Sequence, residues 1–295
     1  MTAADLSAFV KTYDVRGLVG TELTVEAVEA LAAGFVDELG AAGQTVVVGH
    51  DMRDSSPEFA AAFERGASAR GADVVNIGLC STDETYFASG WLDAPAAMFT
   101  ASHNPARYNG IKFSRAGAQG ISLATGLAAI RDRAQAYLAA GGVHAVETPG
   151  TVTRRDVLAD YAAHLRSLVD LSGVRPLKVV VDAGNGMGGL TVPAVLGTAA
   201  ALPALPLEIV PLYFELDGTF PNHEANPSSP RTCAICRRRS WRTVPTSASP
   251  STATRTAASS SMRPGRPSAR APSPRSSRSA RWRACVPRGR RARCT

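Results

Sequence analysis

The chain is poor in cysteine and has no long apolar run, and both absences limit the kind of protein it can be. Only five of its 295 residues are cysteine, and Cys80 alone lies before residue 230, which argues against a fold held by disulfides. No uninterrupted apolar run reaches the roughly 20 residues that cross a bilayer. The opening residues also lack a basic segment followed by an apolar one. These absences predict a soluble cytoplasmic protein with no membrane partner.

Acidic residues and lysine are absent from the last part of the chain. From Arg231 to Thr295 there are 17 arginines and no lysine, aspartate or glutamate, whereas residues 1–230 hold 15 basic and 25 acidic residues. The net charge of +7 therefore combines an acidic part with a strongly basic one. The basic overall charge is consequently no argument for a specific nucleic-acid partner.

The part before the composition change alternates short β-branched runs with longer segments of helical periodicity. This alternation predicts an α/β fold in which a mostly parallel sheet is covered by helices. A break near residue 150 predicts two such units in tandem. We predict helices over Val25–Leu39, Glu58–Arg70, Asp83–Leu92 and about 153–169, and strands over Thr45–Gly49, Val74–Gly78, Ala96–Phe99, Leu177–Asp182 and Leu207–Tyr213.

The strongest candidate for chemistry is the loop Thr100–Pro105, which directly follows the third predicted strand. Ligand chemistry in α/β sheets gathers in loops at the carboxyl ends of strands. Ser102 has a hydroxyl that can accept and donate a phosphoryl group, and His103 titrates near neutral pH. The segment Asn109–Lys112 reads as a tight turn into a strand that returns the Lys112 cation towards the serine. Taken alone, a Ser-His pair also fits an ordinary solvated loop.

The complete loop and four further segments resemble the α-D-phosphohexomutases, the phosphomannomutase/phosphoglucomutase family. The match covers residues 8–227, and Thr100–Pro105 resembles the family's phosphoserine loop. The resemblance implies tandem mixed parallel-sheet α/β domains of the phosphohexomutase type. Tyr13–Gly17 and Gly49–Arg53 resemble active-site segments of the first domain, whereas Asp182–Gly189 and Phe220–Pro227 resemble parts of the second.

In this family the loop serine exchanges a phosphoryl group with a hexose phosphate through a bisphosphorylated sugar. The reaction interconverts 1-phosphates and 6-phosphates of mannose or glucose. The resemblance implies that Ser102 carries the phosphate and that hexose phosphate and hexose bisphosphate are the partners. It also implies that Arg16 and Lys112 stabilise charge on the transferring group, because phosphoryl transfer depends on positioning and electrostatics.

Two further residues are assigned by the same resemblance, each with an alternative. His103 is expected to assist proton transfer or to shape the loop. Arg53 is expected to bind substrate, while a purely structural pairing with Asp51 or Asp54 is the competing interpretation.

The resemblance also divides the chain into three parts. Residues 1–150 correspond to the first family domain with its phosphoserine loop, residues 151–227 to an incomplete second domain, and residues 228–295 to an Arg-rich tail. We expect the tail to be disordered, because its composition cannot offset the entropy of packing. The family's third and fourth domains are expected to be missing.

The resemblance implies Mg²⁺ as a cofactor, held by three aspartates beside the phosphate on Ser102. Thr252, Thr254 and Thr256 stand where those aspartates are expected. Without the cation, the charge of the transferring group is not neutralised. The chain as written is therefore expected to be inactive.

Three interpretations of the tail are open. It is a nonspecific polyanion-binding arm, or its four cysteines form a zinc site, to which their spacing fits poorly, or it is a frameshift product. The genetic code favours the third. With suitable wobble bases, residues 250–257 read one base back encode Phe-Asp-Gly-Asp-Ala-Asp-Arg, which resembles the family's metal loop. Residues 228–237 shifted in the same way read as an amphipathic helix.

The remaining candidates have ordinary structural interpretations. The glycines of 184–189 match neither a dinucleotide-binding nor a Walker motif, so tight strand-to-helix packing is favoured. His223 and Glu224 form either a metal pair or a capped loop, and His144 and His164 read as surface residues. The competing function for the whole chain is a non-catalytic sugar-phosphate-binding fragment with a polyanion-binding tail.

Overall fold

The computed structural model describes residues 5–171 and 173–226, which form two sheets flanked by helices. The predicted mixed α/β class is confirmed, whereas the predicted tail lies outside the described residues. The helices are α1 (Val25–Leu39), α2 (Ser56–Ala69), α3 (Thr82–Trp91), α4 (Leu127–Ala139), α5 (Leu158–Leu168) and α6 (Gly188–Val195). The strands are β1 (Val15–Leu18), β2 (Thr45–His50), β3 (Asp73–Leu79), β4 (Ala96–Phe99), β5 (Tyr108–Arg115), β6 (Gln119–Gly120), β7 (Val152–Arg154), β8 (Leu177–Asp182) and β9 (Leu207–Leu212).

The larger sheet has seven strands in the order β1-β5-β4-β2-β3-β7, with β6 paired to β5. Its centre is parallel, because β2 runs parallel to both β3 and β4 and β7 runs parallel to β3. Strand β5 is antiparallel to both of its neighbours, β1 and β4. The smaller sheet consists of the parallel pair β8 and β9.

Helix α1 shows how local sequence sets an element that the sheet then buries. The Thr24 hydroxyl accepts the Ala27 amide at 3.3 Å, and Gly40 ends the helix with a left-handed φ of 62°. The middle of its apolar face, from Ala27 to Val36, is buried and packs on α2 and α4. Phe35 stacks on Phe113 of β5 with ring centroids 4.8 Å apart, which anchors the helix layer to the sheet.

The predicted tight turn at Asn109 and Gly110 is wrong, because these residues belong to strand β5. Both residues lie inside the strand, and the buried Asn109 amide donates to the hydroxyls of Ser55 and Ser56 instead of forming a turn. A Cβ on Gly110 would lie 2.1 Å from the carbonyl oxygen of Val15. Here the Asn-Gly pair serves a close approach of two strands, which a local turn signal does not reveal.

The segment predicted as one helix over about 153–169 is a strand followed by a helix. Residues 152–154 form β7, which pairs with β3 of the larger sheet, and α5 begins only at Leu158. The β-branched pair Val152 and Thr153 suits an edge strand. The domain boundary at residue 150 stays a prediction.

Glu84 combines a helix cap with deep burial. Its carboxylate accepts the Ser81 amide at 2.8 Å, and the Ser81 hydroxyl accepts the Glu84 amide at 3.2 Å, so the two residues form a capping box on α3. Glu84 is 1% exposed. Burial raises the pKa of this carboxyl to about 7, against the opposing effect of the Ser81 hydrogen bonds.

This raised pKa predicts a stability that falls with pH. The folded state binds the Glu84 proton more tightly than the unfolded state, so the contribution is present at low pH and is lost between about pH 4.5 and pH 7. Glu84→Gln keeps the acceptor and removes the titration. Urea unfolding should show the wild type losing on the order of 3 kcal/mol relative to this variant from about pH 4 to about pH 8.

The matched control is Glu58→Gln, since Glu58 lies exposed in the first turn of α2. An equal pH dependence in wild type and Glu84→Gln would contradict the burial argument.

Candidate functional site

The candidate site lies where the carboxyl ends of two parallel strands meet. Strands β2 and β4 pair through His50 and Phe99 at their last residues, and the Asp51 amide donates to the Phe99 carbonyl at 2.9 Å. The loop after β2 therefore lies beside the loop after β4. Strand β5 then runs back between β4 and β1 and adds residues from two antiparallel strands.

Ser102 occupies a strained position in the loop after β4. Its φ of 54° is left-handed, which costs a non-glycine residue roughly 1–2 kcal/mol. The Thr100 hydroxyl supports this conformation by accepting the Ser102 amide at 2.9 Å. The partly exposed Ser102 Oγ lies 3.4 Å from Nδ1 of His103, so a hydroxyl and an imidazole are neighbours at the loop tip.

Two cations are held beside this loop by one carboxylate. Asp14 Oδ2 accepts Arg16 Nη2 at 2.7 Å and lies 3.5 Å from Lys112 Nζ. Arg16 Nη1 donates to the Asn104 side chain at 2.8 Å, which ties β1 directly to the serine loop. The structure thus brings Ser102, Arg16 and Lys112 together, and a net positive charge remains after the single carboxylate is counted.

This positive charge acts on His103. Burial lowers the pKa of the imidazole, and the charges of Arg16, Lys112 and Arg53 lower it further against a weaker opposite effect of Asp14. His103 is therefore held neutral at physiological pH and is able to accept a proton from a neighbouring hydroxyl.

Arg53 lies behind the loop and not in the open cleft. Its side chain is 1% exposed, and the predicted structural pairing is present, since Nε donates to Asp51 Oδ2 at 3.2 Å. The four remaining N–H groups donate to backbone carbonyls of the serine loop and of the residue that begins β5. Direct substrate binding by Arg53 stays a prediction.

The described residues do not fit the implied Mg²⁺ site. Within 5–171 and 173–226, no group of three or more histidine, cysteine, aspartate or glutamate side chains is placed to hold a metal. Ser102 alone supplies one oxygen, and positions 252, 254 and 256 lie outside the described residues.

His223 holds a loop in place through hydrogen bonds to Asp182 and to the backbone of Glu224. His223 Nε2 lies 3.0 Å from Asp182 Oδ1, and Nδ1 lies 2.9 Å from the Glu224 carbonyl, so both ring nitrogens are engaged. Burial opposes protonation, but the carbonyl and carboxylate together raise the pKa of His223. Glu224 contributes its backbone and not its carboxylate, which agrees with the capped-loop interpretation.

His144 and His164 are both exposed. The ring of His164 lies against Phe87, with centroids 5.2 Å apart, and the backbone carbonyl of His144 accepts a hydrogen bond from Arg70.

Sequence reasoning missed Asp14 and Asn104 as functional residues. Asp14 lies two positions before Arg16, and the pairing of Val15 with Ile111 places it across from Lys112. Asn104 lies in the serine loop and fixes the Arg16 fork. The available signal was an alternating Asp-x-Arg at the start of a strand, which becomes informative only once the antiparallel register is known.

Comparison with known proteins gives one consistent result. A family model described as phosphoglucomutase/phosphomannomutase, alpha/beta/alpha domain I, matches residues 8–139, and the corresponding domain II model matches residues 159–241. Phosphohexose mutases of Xanthomonas campestris pv. campestris are 43% identical over 226 residues, which is 76% of this chain and 48% of the relative. A phosphomannomutase/phosphoglucomutase of Pseudomonas aeruginosa is 36% identical over 75% of this chain and 44% of its own length.

A solved structure shows the same fold. The crystal structure of a phosphoglucomutase/phosphomannomutase family protein from Burkholderia thailandensis matches 80% of this chain and 50% of its own with a TM-score of 0.68 and 30% identity. The present chain thus spans about half the length of the curated relatives it matches. Among the described residues, no helix is both long enough and apolar enough to cross a membrane.

The charge arrangement predicts how the His103 titration responds to mutation. Lys112→Met removes one of the cations that lower the pKa of His103, so this pKa should rise towards that of an ordinary histidine. Histidine proton NMR during a pH titration measures it directly. Lys178→Met is the matched control, because Lys178 is an exposed residue of β8 that pairs with Glu208. It should leave the His103 titration unchanged. A pKa that falls in Lys112→Met would contradict this electrostatic account.

Proposed function

The chain belongs to the phosphoglucomutase/phosphomannomutase family, and we propose that its serine loop performs phosphohexomutase chemistry. In this proposal Ser102 accepts a phosphoryl group from a hexose bisphosphate and donates it to a hexose monophosphate, so that the 1-phosphates and 6-phosphates of glucose or mannose are interconverted. Activity, substrates and partners of the complete protein are part of the proposal.

One observation carries this proposal. Ser102 is held in a strained, partly exposed conformation, with a neutral imidazole 3.4 Å from its hydroxyl and two cations on the adjoining strands. A phosphoryl group at the serine would lie beside the guanidinium of Arg16 and the ammonium of Lys112, which stabilise the charge on its oxygens in transfer. A solvated surface loop has no need for this convergence of charge.

The transfer steps balance with the groups that are present. When Ser102 is phosphorylated, its Oγ forms a bond to phosphorus, the bond from phosphorus to the sugar oxygen breaks, and His103 Nδ1 takes the hydroxyl proton. That proton then passes to the released sugar oxygen. The return transfer runs the same steps backwards at the other sugar hydroxyl, as microscopic reversibility requires.

The first test compares the chain as written with a protein in which the reading frame is restored. A coupled assay with glucose 1-phosphate should detect no turnover by the 295-residue chain and clear turnover once the frame after Pro227 is restored. With suitable wobble bases, the shifted frame encodes the three aspartates that the family resemblance implies. Equal turnover by both proteins would contradict the expected inactivity of the chain as written, and sugar-phosphate binding without turnover in either would favour the non-catalytic alternative.

The role of the serine is tested in the frame-restored protein. Incubation with glucose 1,6-bisphosphate should place one phosphoryl group on Ser102, detected by peptide mass spectrometry, and Ser102→Ala should carry none and should not turn over. Ser81→Ala is the matched control, because Ser81 caps α3 and lies in a different loop. Turnover by Ser102→Ala would refute the proposed function.

His103→Gln should retain the loop shape but lose proton transfer. We expect kcat to fall by about 10²-fold to 10⁴-fold, the usual contribution of a general acid–base group. Steady-state kinetics at several pH values measure the loss, and an unchanged kcat would restrict His103 to a role in loop shape.

A further inference from the structure

Arg53 is a buried cation whose hydrogen-bonding capacity is used completely within the protein. A guanidinium has five N–H donors in a fixed planar fork. One donates to Asp51 at 3.2 Å, and the other four donate to carbonyl oxygens at 2.8–3.0 Å. The residue is 1% exposed, so water does not replace any of these contacts.

The four carbonyl acceptors span the serine loop. Nη2 donates to Ser102 and Asn104, and Nη1 donates to Pro105 and Tyr108. The loop therefore meets the guanidinium at its strained serine, in its middle, and at the residue that begins β5. A planar fork satisfied by four carbonyls fixes their relative positions, which a flexible ammonium does not do.

The loop after β2 holds the guanidinium in place from the other side. Asp51 Oδ1 accepts the backbone amide of Arg53 at 3.1 Å and the hydroxyl of Ser56 at 2.7 Å, while Oδ2 accepts Nε. Ser56 is itself the first residue of α2. The carboxylate thus orients Arg53 with respect to a strand end and a helix start, both of which are rigid elements.

The second part of the chain covers Arg53. The ring of Phe220 lies 5.2 Å from the guanidinium carbon, within the range of a cation–π contact. A Cβ on Gly218 would lie 2.8 Å from the Arg53 Cα, so this neighbouring position admits only glycine without a shift. The ring excludes water from the fork and strengthens its hydrogen bonds.

We propose that Arg53 is the positioning residue of the serine loop: it acts through four backbone carbonyls to hold Ser102 in the conformation that the chemistry uses. The significance of that conformation rests on the proposed function, whereas the restraint itself does not. This assignment replaces direct substrate contact, because no N–H of the guanidinium remains for a ligand.

The restraint predicts a local change in amide hydrogen exchange. The amides of Ser102, Asn104 and Tyr108 are hydrogen-bonded within the loop, to Thr100 Oγ1 and to the carbonyls of Ala101 and Pro105. In Arg53→Met these amides should exchange at least about tenfold faster, because several charge-assisted hydrogen bonds are lost. Amides inside α1 should keep their wild-type rates.

Two variants separate charge from geometry. Arg53→Lys keeps a cation beside Asp51 but has no planar fork, so loop exchange should remain faster than in wild type. Arg70→Met is the matched control: Arg70 also combines a carboxylate partner, Asp37, with an aromatic ring, Tyr137, yet makes no contact with the loop. Its loop exchange should equal that of wild type.

Two outcomes in Arg53→Met would overturn the positioning role of Arg53. One is wild-type exchange of the three loop amides. The other is an equal acceleration of exchange in the loop and in α1, since that reports general destabilisation. Full protection in Arg53→Lys would show that charge alone suffices and would overturn the role of the fork. If Arg53→Met does not fold, Phe220→Leu takes its place, and faster exchange confined to the loop is expected there too.

Kinetics of the frame-restored protein provide the second readout. Arg53→Lys should lower kcat with little change in KM, because it misplaces the serine without removing a substrate contact. A raised KM at unchanged kcat would assign Arg53 to substrate binding instead. Hydrogen exchange needs no turnover, so the two proposals can fail separately. If the frame-restored wild type transfers no phosphoryl group to Ser102, the proposed function is refuted. Faster loop exchange in Arg53→Met would still support the positioning role.

Discussion

The Arg53 guanidinium is taken out of water with a partner for every N–H, and this arrangement shapes the site. An unpaired buried charge is too costly to tolerate, so the chain around Arg53 has to supply five acceptors at fixed directions. One is the Asp51 carboxylate and four are carbonyls of the loop that carries the serine. The left-handed φ of Ser102 persists because this hydrogen-bond network restrains the backbone of the loop.

The mixed sheet is what supplies the rest of the charge. Parallel strands alone would bring to this edge only loops that follow strand ends, such as those after β2, β3 and β4. The antiparallel insertion of β5 between β4 and β1 adds Lys112 and Arg16 from two further strands, and Asp14 orients both. Gly110 permits the close approach of β5 and β1 on which this arrangement depends.

The sequence allowed much of the fold to be predicted, and the misses have physical reasons. Helix α1 was predicted to the residue because its cap, apolar face and terminal glycine are all local signals. Strand β7 and the course of β5 were not, because Val152–Arg154 and Asn109–Gly110 take their conformations from partners distant in sequence. The resemblance also placed Ser102, His103, Lys112 and Arg16, which the structure brings together. Asp14 and the work of Arg53 were missed, since a carboxylate between two strands and hydrogen bonds to main-chain carbonyls leave no motif.

Electrostatics also connect the two halves of the proposed reaction. With an unmodified serine, burial and the surrounding cations lower the pKa of His103 and keep it neutral, which suits acceptance of the Ser102 proton. A phosphoryl group on Ser102 adds nearly two negative charges beside the same imidazole and opposes the effect of Arg16 and Lys112. The pKa of His103 therefore rises when phosphate arrives and falls when it leaves. In the proposed reaction, the proton affinity of His103 thus rises as this side chain takes the Ser102 proton, and falls again as the phosphate leaves and the proton returns to Ser102 Oγ.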